Sequence, residues 1–223
     1  MVLEFFRGGE DQLESLHGDV QDMLASCRHT FNAAINTVLG GTDPQAVGKD
    51  IRKTDRTINK AERKIRRALV VHASTRGAQA DIGTILVLMS ITKDIERVGD
   101  YATNIWDLAD HGVDMSNDDD VESLRKRRDQ VTELIVETSR IFASQDTEAA
   151  HVTIQAADEL LDEFDAEIGT LIGTDAPGSY AVPRALLSRY LKRIVAHLMN
   201  VMSAVVMPVD RLDYYDEDKA DRI

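Results

Sequence analysis

Apolar residues recur at intervals of three and four along most of the chain, and no segment alternates apolar and polar residues as a half-buried strand does. Glycines and prolines interrupt this pattern at a few places, and each interruption is a natural helix end. Dividing the chain there predicts six helices, at approximately 10–39, 44–73, 78–111, 117–144, 146–172 and 184–207. The pattern therefore predicts an all-α protein whose long helices are typical of bundles.

Capping residues support these divisions. The run Thr42-Asp43-Pro44 supplies an N-cap followed by a first-turn proline, while Ser116-Asn117 and Asp146-Thr147 offer two further caps. We expect all four prolines at helix boundaries, because a proline inside a helix removes a backbone hydrogen bond. These are Pro44, Pro177, Pro183 and Pro208.

The helices also form an internal repeat. Residues 94–105 align with 190–201, and the second helix aligns with the fifth, where Asp55 and Glu62 correspond to Asp158 and Asp165. The alignment predicts two tandem three-helix bundles, at residues 1–113 and 117–223, joined by the acidic stretch 114–120.

Composition narrows the class of protein. Among 223 residues there are 39 acids and 26 lysines and arginines, a formal net charge of −13 that disfavours non-specific binding of nucleic acid. The single cysteine, Cys27, excludes an internal disulfide and a cysteine-only zinc site. The first residues contain no apolar run long enough for a signal peptide, so we expect a cytoplasmic protein.

Acidic residues follow the core-facing positions of the second and third helices. Asp55 and Glu62 are seven residues apart, beside the apolar line of the second helix. In the third helix Glu96, Asp100 and Asn104 are spaced by four and form one oxygen-bearing ridge. Such oxygens can bind Mg²⁺, Mn²⁺, Fe or Zn²⁺. The alternative is an ordinary charged surface, with arginines bridging the acids of the second helix and Lys93 and Arg97 as partners on the third.

Residues 91–105, ITKDIERVGDYATNI, resemble the third-helix signature of the PhoU family of phosphate-signalling proteins, in which acidic-Leu-Glu-Arg-Ile-Gly-Asp precedes an Asn-Ile pair. The spaced acids of the second helix resemble that family's second-helix pattern. The resemblance implies two tandem three-helix bundles and a regulator rather than an enzyme. It further implies negative regulation of phosphate uptake and phosphate-starvation signalling, through a phosphate transporter ATPase or a membrane sensor kinase.

The same resemblance nominates a metal site. Carried over position by position, the family's metal-binding motifs fall on Glu96 and Asp100, with Asp55 and Glu62 from the adjacent helix and Asn104 as a helper. We also expect a homodimer, because helices this long expose much surface, and peripheral association with a membrane.

The second repeat departs from the family pattern. Lys192 and Ala196 stand where the family has Glu and Asp, so a second metal site is not expected there. Lys192 instead suggests a direct ion pair with the acids of the fifth helix, which are Asp158, Asp162 and Asp165. In the first repeat, Asn59 stands where an acid is common and Gly83 where an arginine is common.

Basic residues are concentrated in the second helix. We call seven of them the basic face: Lys49, Lys53, Arg56, Lys60, Arg63, Lys64 and Arg67. A further run, Arg125-Lys126-Arg127-Arg128, is predicted in the first turns of the fourth helix. These bases suit an acidic protein, phosphate or anionic lipid headgroups, or are simply a solvated face. Nucleic acid is disfavoured, since no aromatic residues are interleaved with the bases.

Two alternative functions stay open. Glu14-Ser-Leu-His17 and Glu148-Ala-Ala-His151 both have the Glu-x-x-His spacing of ferritin-like di-iron bundles, which would make the chain a metalloenzyme. Both motifs, however, fall at the beginning of a predicted helix rather than in its middle. The other alternative is a PhoU-like regulator of a different transporter.

Overall fold

The computed structural model describes residues 10–74 and 81–212, with side chains from residue 15 onward. Within these residues the chain forms six long helices and no strand, which confirms the all-α prediction. A short 3-10 turn at Val209–Arg211 follows the last helix. The long helices are α1 (Glu10–Leu39), α2 (Pro44–Ala73), α3 (Ile82–Asp110), α4 (Val121–Ser144), α5 (Thr147–Ile172) and α6 (Gly178–Val206).

Two of the predicted caps are confirmed. The Asp43 side chain accepts a hydrogen bond from the Gln45 amide at 2.9 Å, and Pro44 is the first residue of α2. The Asp146 side chain accepts one from the Ala149 amide at 3.0 Å. Both caps satisfy amides that have no partner inside the helix.

Two predicted helix starts are wrong. The fourth helix begins at Val121 rather than 117, because the buried Met115 donates its amide to the Val38 carbonyl at 2.9 Å and holds this linker against α1. The sixth begins at Gly178 rather than 184, so Pro183 lies inside it. Pro183 is the sixth residue of α6, so it removes the hydrogen bond that an amide there would donate to the Ser179 carbonyl. That carbonyl lies in the exposed first turn, where water can bind it instead. The predicted start of the third helix, at 78, lies outside the described residues.

The helices pack as two groups of three that share a core. In the first group α2 packs on α1 and α3, and in the second α5 packs on α4 and α6. The groups meet where α3 packs on α6 and α1 on α4. One continuous apolar cluster, from Leu16 on α1 to Val205 on α6, fills both groups. The division into independent domains at 1–113 and 117–223 stays a prediction.

No helix in the described ranges is both long enough and apolar enough to cross a membrane.

Candidate functional site

The predicted acids lie along the contact between α2 and α3, which is unusually close at Gly99. A Cβ built on Gly99 would lie 2.9 Å from Cδ1 of Ile58 and 3.7 Å from Sγ of Cys27. Ile58 and Ile65 are buried, so the core-facing side of α2 is as the heptad line predicted. This close approach brings carboxylates of the two helices to one edge of the first repeat.

Three of the predicted acids come together there: Asp55, Glu96 and Asp100, which we call the acid cluster. Burial raises the pKa of Asp55, and the negative charge of Glu96 raises it further. Burial likewise raises the pKa of Asp100, with further contributions from Glu96 and Asp55. Each change disfavours the ionised form, so this is a place where added positive charge would stabilise the protein.

Local partners already supply some of that positive charge. Lys93 Nζ lies 2.6 Å from Oε2 of the buried Glu96, and Arg97 Nη1 lies 3.0 Å from Oδ2 of Asp100. Asn59 donates to Oδ2 of Asp55 at 3.3 Å. The acid cluster therefore has the partners that the charged-surface interpretation expected on the third helix.

Glu62 and Asn104 lie further along the same helices. Glu62 is buried and has Arg66 Nη1 3.3 Å from its Oε1. Seven residues of helix separate Glu62 from Asp55, a rise of about 10 Å. Asn104 is half-buried and one turn beyond Asp100. The five predicted ligands thus extend along the α2–α3 contact instead of meeting at one point.

The donor types of the acid cluster suit a hard divalent cation, and the mutual repulsion of its carboxylates is what such a cation would relieve. The positions of these side chains are less suited to a metal ion than their chemistry is. Across residues 15–74 and 81–212, no group of three or more His, Cys, Asp or Glu side chains is arranged to hold a metal ion. Binding a metal at the acid cluster would require Lys93 and Arg97 to turn away.

Cys27 lies beneath the acid cluster and belongs to the core. It is fully buried, and its thiol donates to the Ile95 carbonyl at 3.2 Å. Burial and the three nearby carboxylates raise the pKa of the thiol. A protonated, buried thiol is neither a nucleophile nor a ready metal ligand.

In the second repeat the predicted ion pair of Lys192 is present. Lys192 Nζ lies 2.5 Å from both carboxylate oxygens of Asp165, at the position that corresponds to the α2–α3 contact. A protein cation therefore stands where the family pattern would put acids around a metal.

The sequence reasoning missed a buried polar cluster between the two repeats, formed by Asp94, His197 and Asn200. Asp94 Oδ1 accepts hydrogen bonds from Asn200 Nδ2 at 3.0 Å and lies 2.8 Å from His197 Nδ1. All three side chains are buried, where α3 packs on α6. The repeat alignment placed Asp94 and Asn200 on corresponding helices, but it could not show that those helices touch.

All seven side chains of the basic face, from Lys49 to Arg67 of α2, are exposed. Lys64 pairs with Asp19 at 2.8 Å. The fourth-helix bases are different, because Arg125, Arg127 and Arg128 all pair with nearby carboxylates. The helices thus differ in how much of their positive charge is available to a ligand.

The structure gives no support to a ferritin-like centre. The ring of His17 stacks on Phe142, with centroids 4.4 Å apart, and His151 is exposed on α5. The Glu14 side chain lies outside the described part.

Comparisons of the sequence and of the fold with known proteins both point to PhoU proteins. Residues 20–109 match the family model of the PhoU domain. A Thermotoga maritima protein, phosphate-specific transport system accessory protein PhoU homolog 1, is 22% identical over 207 residues, which cover 88% of this chain and 87% of that protein.

Solved structures of PhoU proteins share the fold. The crystal structure of PhoU from Pseudomonas aeruginosa matches with a TM-score of 0.75 and 21% identity, over 90% of this chain and 97% of that one. The phosphate transport system regulatory protein PhoU from Streptococcus pneumoniae matches with a TM-score of 0.70 and 17% identity, over 96% and 99%. The resemblance carried by residues 91–105 is confirmed. Residues 20–109 match the PhoU domain model, and the chain as a whole shares the fold of solved PhoU proteins.

Proposed function

We propose that this protein is a regulatory adaptor of phosphate transport, which restrains phosphate uptake and phosphate-starvation signalling by binding a transporter ATPase or a membrane sensor kinase. The observation that carries the proposal is the match to PhoU proteins over nearly the whole chain, including a relative named as an accessory protein of phosphate-specific transport. Action through binding rather than turnover is part of the proposal, as is assembly into a homodimer.

The acid cluster is the surface that we assign to the protein partner. Carboxylates kept close together at a half-buried edge destabilise the fold, so their presence is better explained by a ligand than by stability. That ligand is either the basic surface of a partner protein or a divalent cation that forms part of the docking surface. Metal binding at Asp55, Glu96 and Asp100, with Glu62 and Asn104 nearby, stays a prediction.

Pull-down from membranes tests this assignment. The wild-type protein is compared with Glu96→Ala/Asp100→Ala, and the metal content of both is measured after purification without chelator. Asp162→Ala/Asp165→Ala on α5 is a control with the same change in net charge. We expect the first-repeat variant to lose the partner and any metal, and the control to retain both.

Each outcome has a distinct meaning. Retained partner binding by Glu96→Ala/Asp100→Ala would show that the acid cluster is irrelevant to docking. If the wild-type protein contains no metal and still captures its partner, the docking surface needs no cation, and the adaptor function is unaffected. Oxygen consumption with ferrous iron above background would favour the ferritin-like alternative. Capture of a transporter for another solute would favour the other alternative, a PhoU-like regulator of a different transporter.

A further inference from the structure

α2 is the basic helix of an acidic protein. It carries nine of the chain's 26 lysines and arginines and only three acids, although the whole chain has a net charge of −13. The basic face runs from Lys49 to Arg67, which is about 27 Å along a straight helix. A stripe of this length can lie flat against an extended anionic surface.

Most of these cations form no ion pair within the described part of the chain. Among the described residues, six of the seven members of the basic face have no carboxylate oxygen within 4.0 Å and so form no ion pair: Lys49, Lys53, Arg56, Lys60, Arg63 and Arg67. An exposed cation that does not pair with its own protein remains available for an anionic ligand.

The basic face also surrounds a groove with an apolar side. A surface depression of about 500 Å³ is lined by Lys60, Arg63, Lys64, Arg67, Ala68 and Val71. Four cations around one depression suit phosphate groups, while Ala68 and Val71 present aliphatic surface to whatever lies beside those phosphates.

Exposed aliphatic side chains continue from this groove around the end of the helix pair. Val70, Val71, Ile82 and Leu86, which we call the aliphatic corner, are 58%, 54%, 52% and 51% exposed. The end of α2 and the start of α3 are held together by a buried 2.9 Å contact between His72 Nε2 and Asp81 Oδ2. Large aliphatic side chains gathered at one end of a molecule mark an interaction surface.

We propose that the basic face and the aliphatic corner together bind the surface of an anionic phospholipid bilayer. Lipid phosphates would contact the bases along α2, and the aliphatic corner would enter the boundary between headgroups and acyl chains. A bilayer surface accounts for both features at once, since interfacial binding combines cations for anionic lipids with apolar side chains for the acyl region. Binding of this kind does not depend on which protein partner the adaptor has.

The net negative charge of the chain does not prevent such binding. At physiological ionic strength charges are screened over about 8 Å, so a bilayer that touches α2 senses the basic face more strongly than the acids of distant helices. The attraction should be strong near 0.1 M salt and greatly weakened near 1 M, where the screening length is about 3 Å.

Co-sedimentation with vesicles tests the proposal on the full chain. Vesicles of phosphatidylcholine alone are compared with vesicles that also contain phosphatidylglycerol. The basic-face variant is Lys60→Glu/Arg63→Glu. Its matched control is Lys126→Glu/Arg189→Glu, which changes net charge equally at two exposed residues of α4 and α6. A third variant, Val71→Ser/Ile82→Ser, changes the aliphatic corner alone, and thermal unfolding confirms that each variant is folded.

We expect the wild-type protein to bind only the anionic vesicles. The basic-face variant should bind them at least about tenfold more weakly, since each base near an anionic surface contributes about 1 kcal/mol. The control should bind like the wild type, and the aliphatic variant more weakly than the wild type. The proposal is overturned if the wild type ignores anionic vesicles or if the control loses as much affinity as the basic-face variant. Loss of a captured protein by Lys60→Glu/Arg63→Glu, with no vesicle binding by the wild type, would assign this surface to an acidic protein instead.

Discussion

Two glycines, Gly48 and Gly99, allow the helices of the first repeat to approach each other closely. A Cβ on Gly48 would lie 2.6 Å from Cζ2 of Trp106. That ring cannot easily move, since its Nε1 donates to the Pro44 carbonyl at 3.0 Å and the Arg52 guanidinium lies 4.4 Å from its centroid. At this residue the missing side chain therefore matters more than the low helix propensity of glycine.

We expect Gly48→Ala to destabilise the protein by up to about 2 kcal/mol, because an overpacking cost of about 1–3 kcal/mol is offset only in part by a gain in helix propensity of about 1 kcal/mol. Gly18→Ala is the control, since a Cβ there meets nothing within 4 Å and Gly18 lies in the interior of α1. That change should stabilise by about 0.5–1 kcal/mol. Urea unfolding measures both, and a gain in stability for Gly48→Ala would show that Trp106 can shift.

The equivalent helices of the two repeats carry opposite charge. α2 is strongly basic, whereas α5 has seven acids and no lysine or arginine. The acids of α5 draw cations from its neighbours, because Lys192 of α6 pairs with Asp165 and Arg127 of α4 pairs with Glu163. Corresponding helices of the two groups therefore pack alike but differ in charge, and α2 presents an extended basic face that α5 lacks.

Restoring the family's acids to α6 should create a metal site in the second repeat. In Lys192→Glu/Ala196→Asp the new carboxylates would join Asp165, and a divalent cation would replace the lost ammonium group. We expect elemental analysis to find more bound metal in this variant than in the wild type. Equal metal content would contradict the view that Lys192 takes the place of a metal. Lys192→Met is the control, since it removes the cation without adding a ligand.

At the scale of the whole molecule, buried polar side chains join the two repeats where α3 packs on α6. Asp94 of α3 binds His197 and Asn200 of α6, and the ring of Tyr101 lies 5.8 Å from that of His197. A polar cluster of this kind permits only one alignment of the two helices, because any shift leaves buried groups without hydrogen bonds.

Asp94→Ala should therefore cost about 2–4 kcal/mol of stability, since it leaves both His197 and Asn200 without their acceptor in a buried interface. Asp165→Ala removes an ion pair from an exposed site and should cost less than about 1 kcal/mol. Comparing urea midpoints of the two variants checks the expectation. Equal losses would mean that the hydrogen bonds of Asp94 contribute little to the contact between the repeats.

Local sequence was sufficient for the helices themselves, because the spacing of apolar residues and the caps at Asp43 and Asp146 act within a few residues along the chain. The family resemblance and the alignment of the repeats, rather than local spacing, placed Asp55, Glu96 and Asp100 on adjacent helices and paired Lys192 with the acids of α5. Local reasoning failed at the start of α4, which depends on the contact between Met115 and the distant Val38. It also failed at the start of α6, because Pro183 lies inside that helix rather than at its boundary.

Only the tertiary structure decided which surfaces are buried and which are left free. Packing α3 on α6 made Asp94, His197 and Asn200 one cluster, and the contact between His72 and Asp81 holds Val71 and Ile82 at the same end of the molecule. It also left six of the seven members of the basic face without an ion pair among the residues that the structure describes. These outcomes depend on distances between residues far apart in the chain, and a one-dimensional pattern of residue types does not contain such distances.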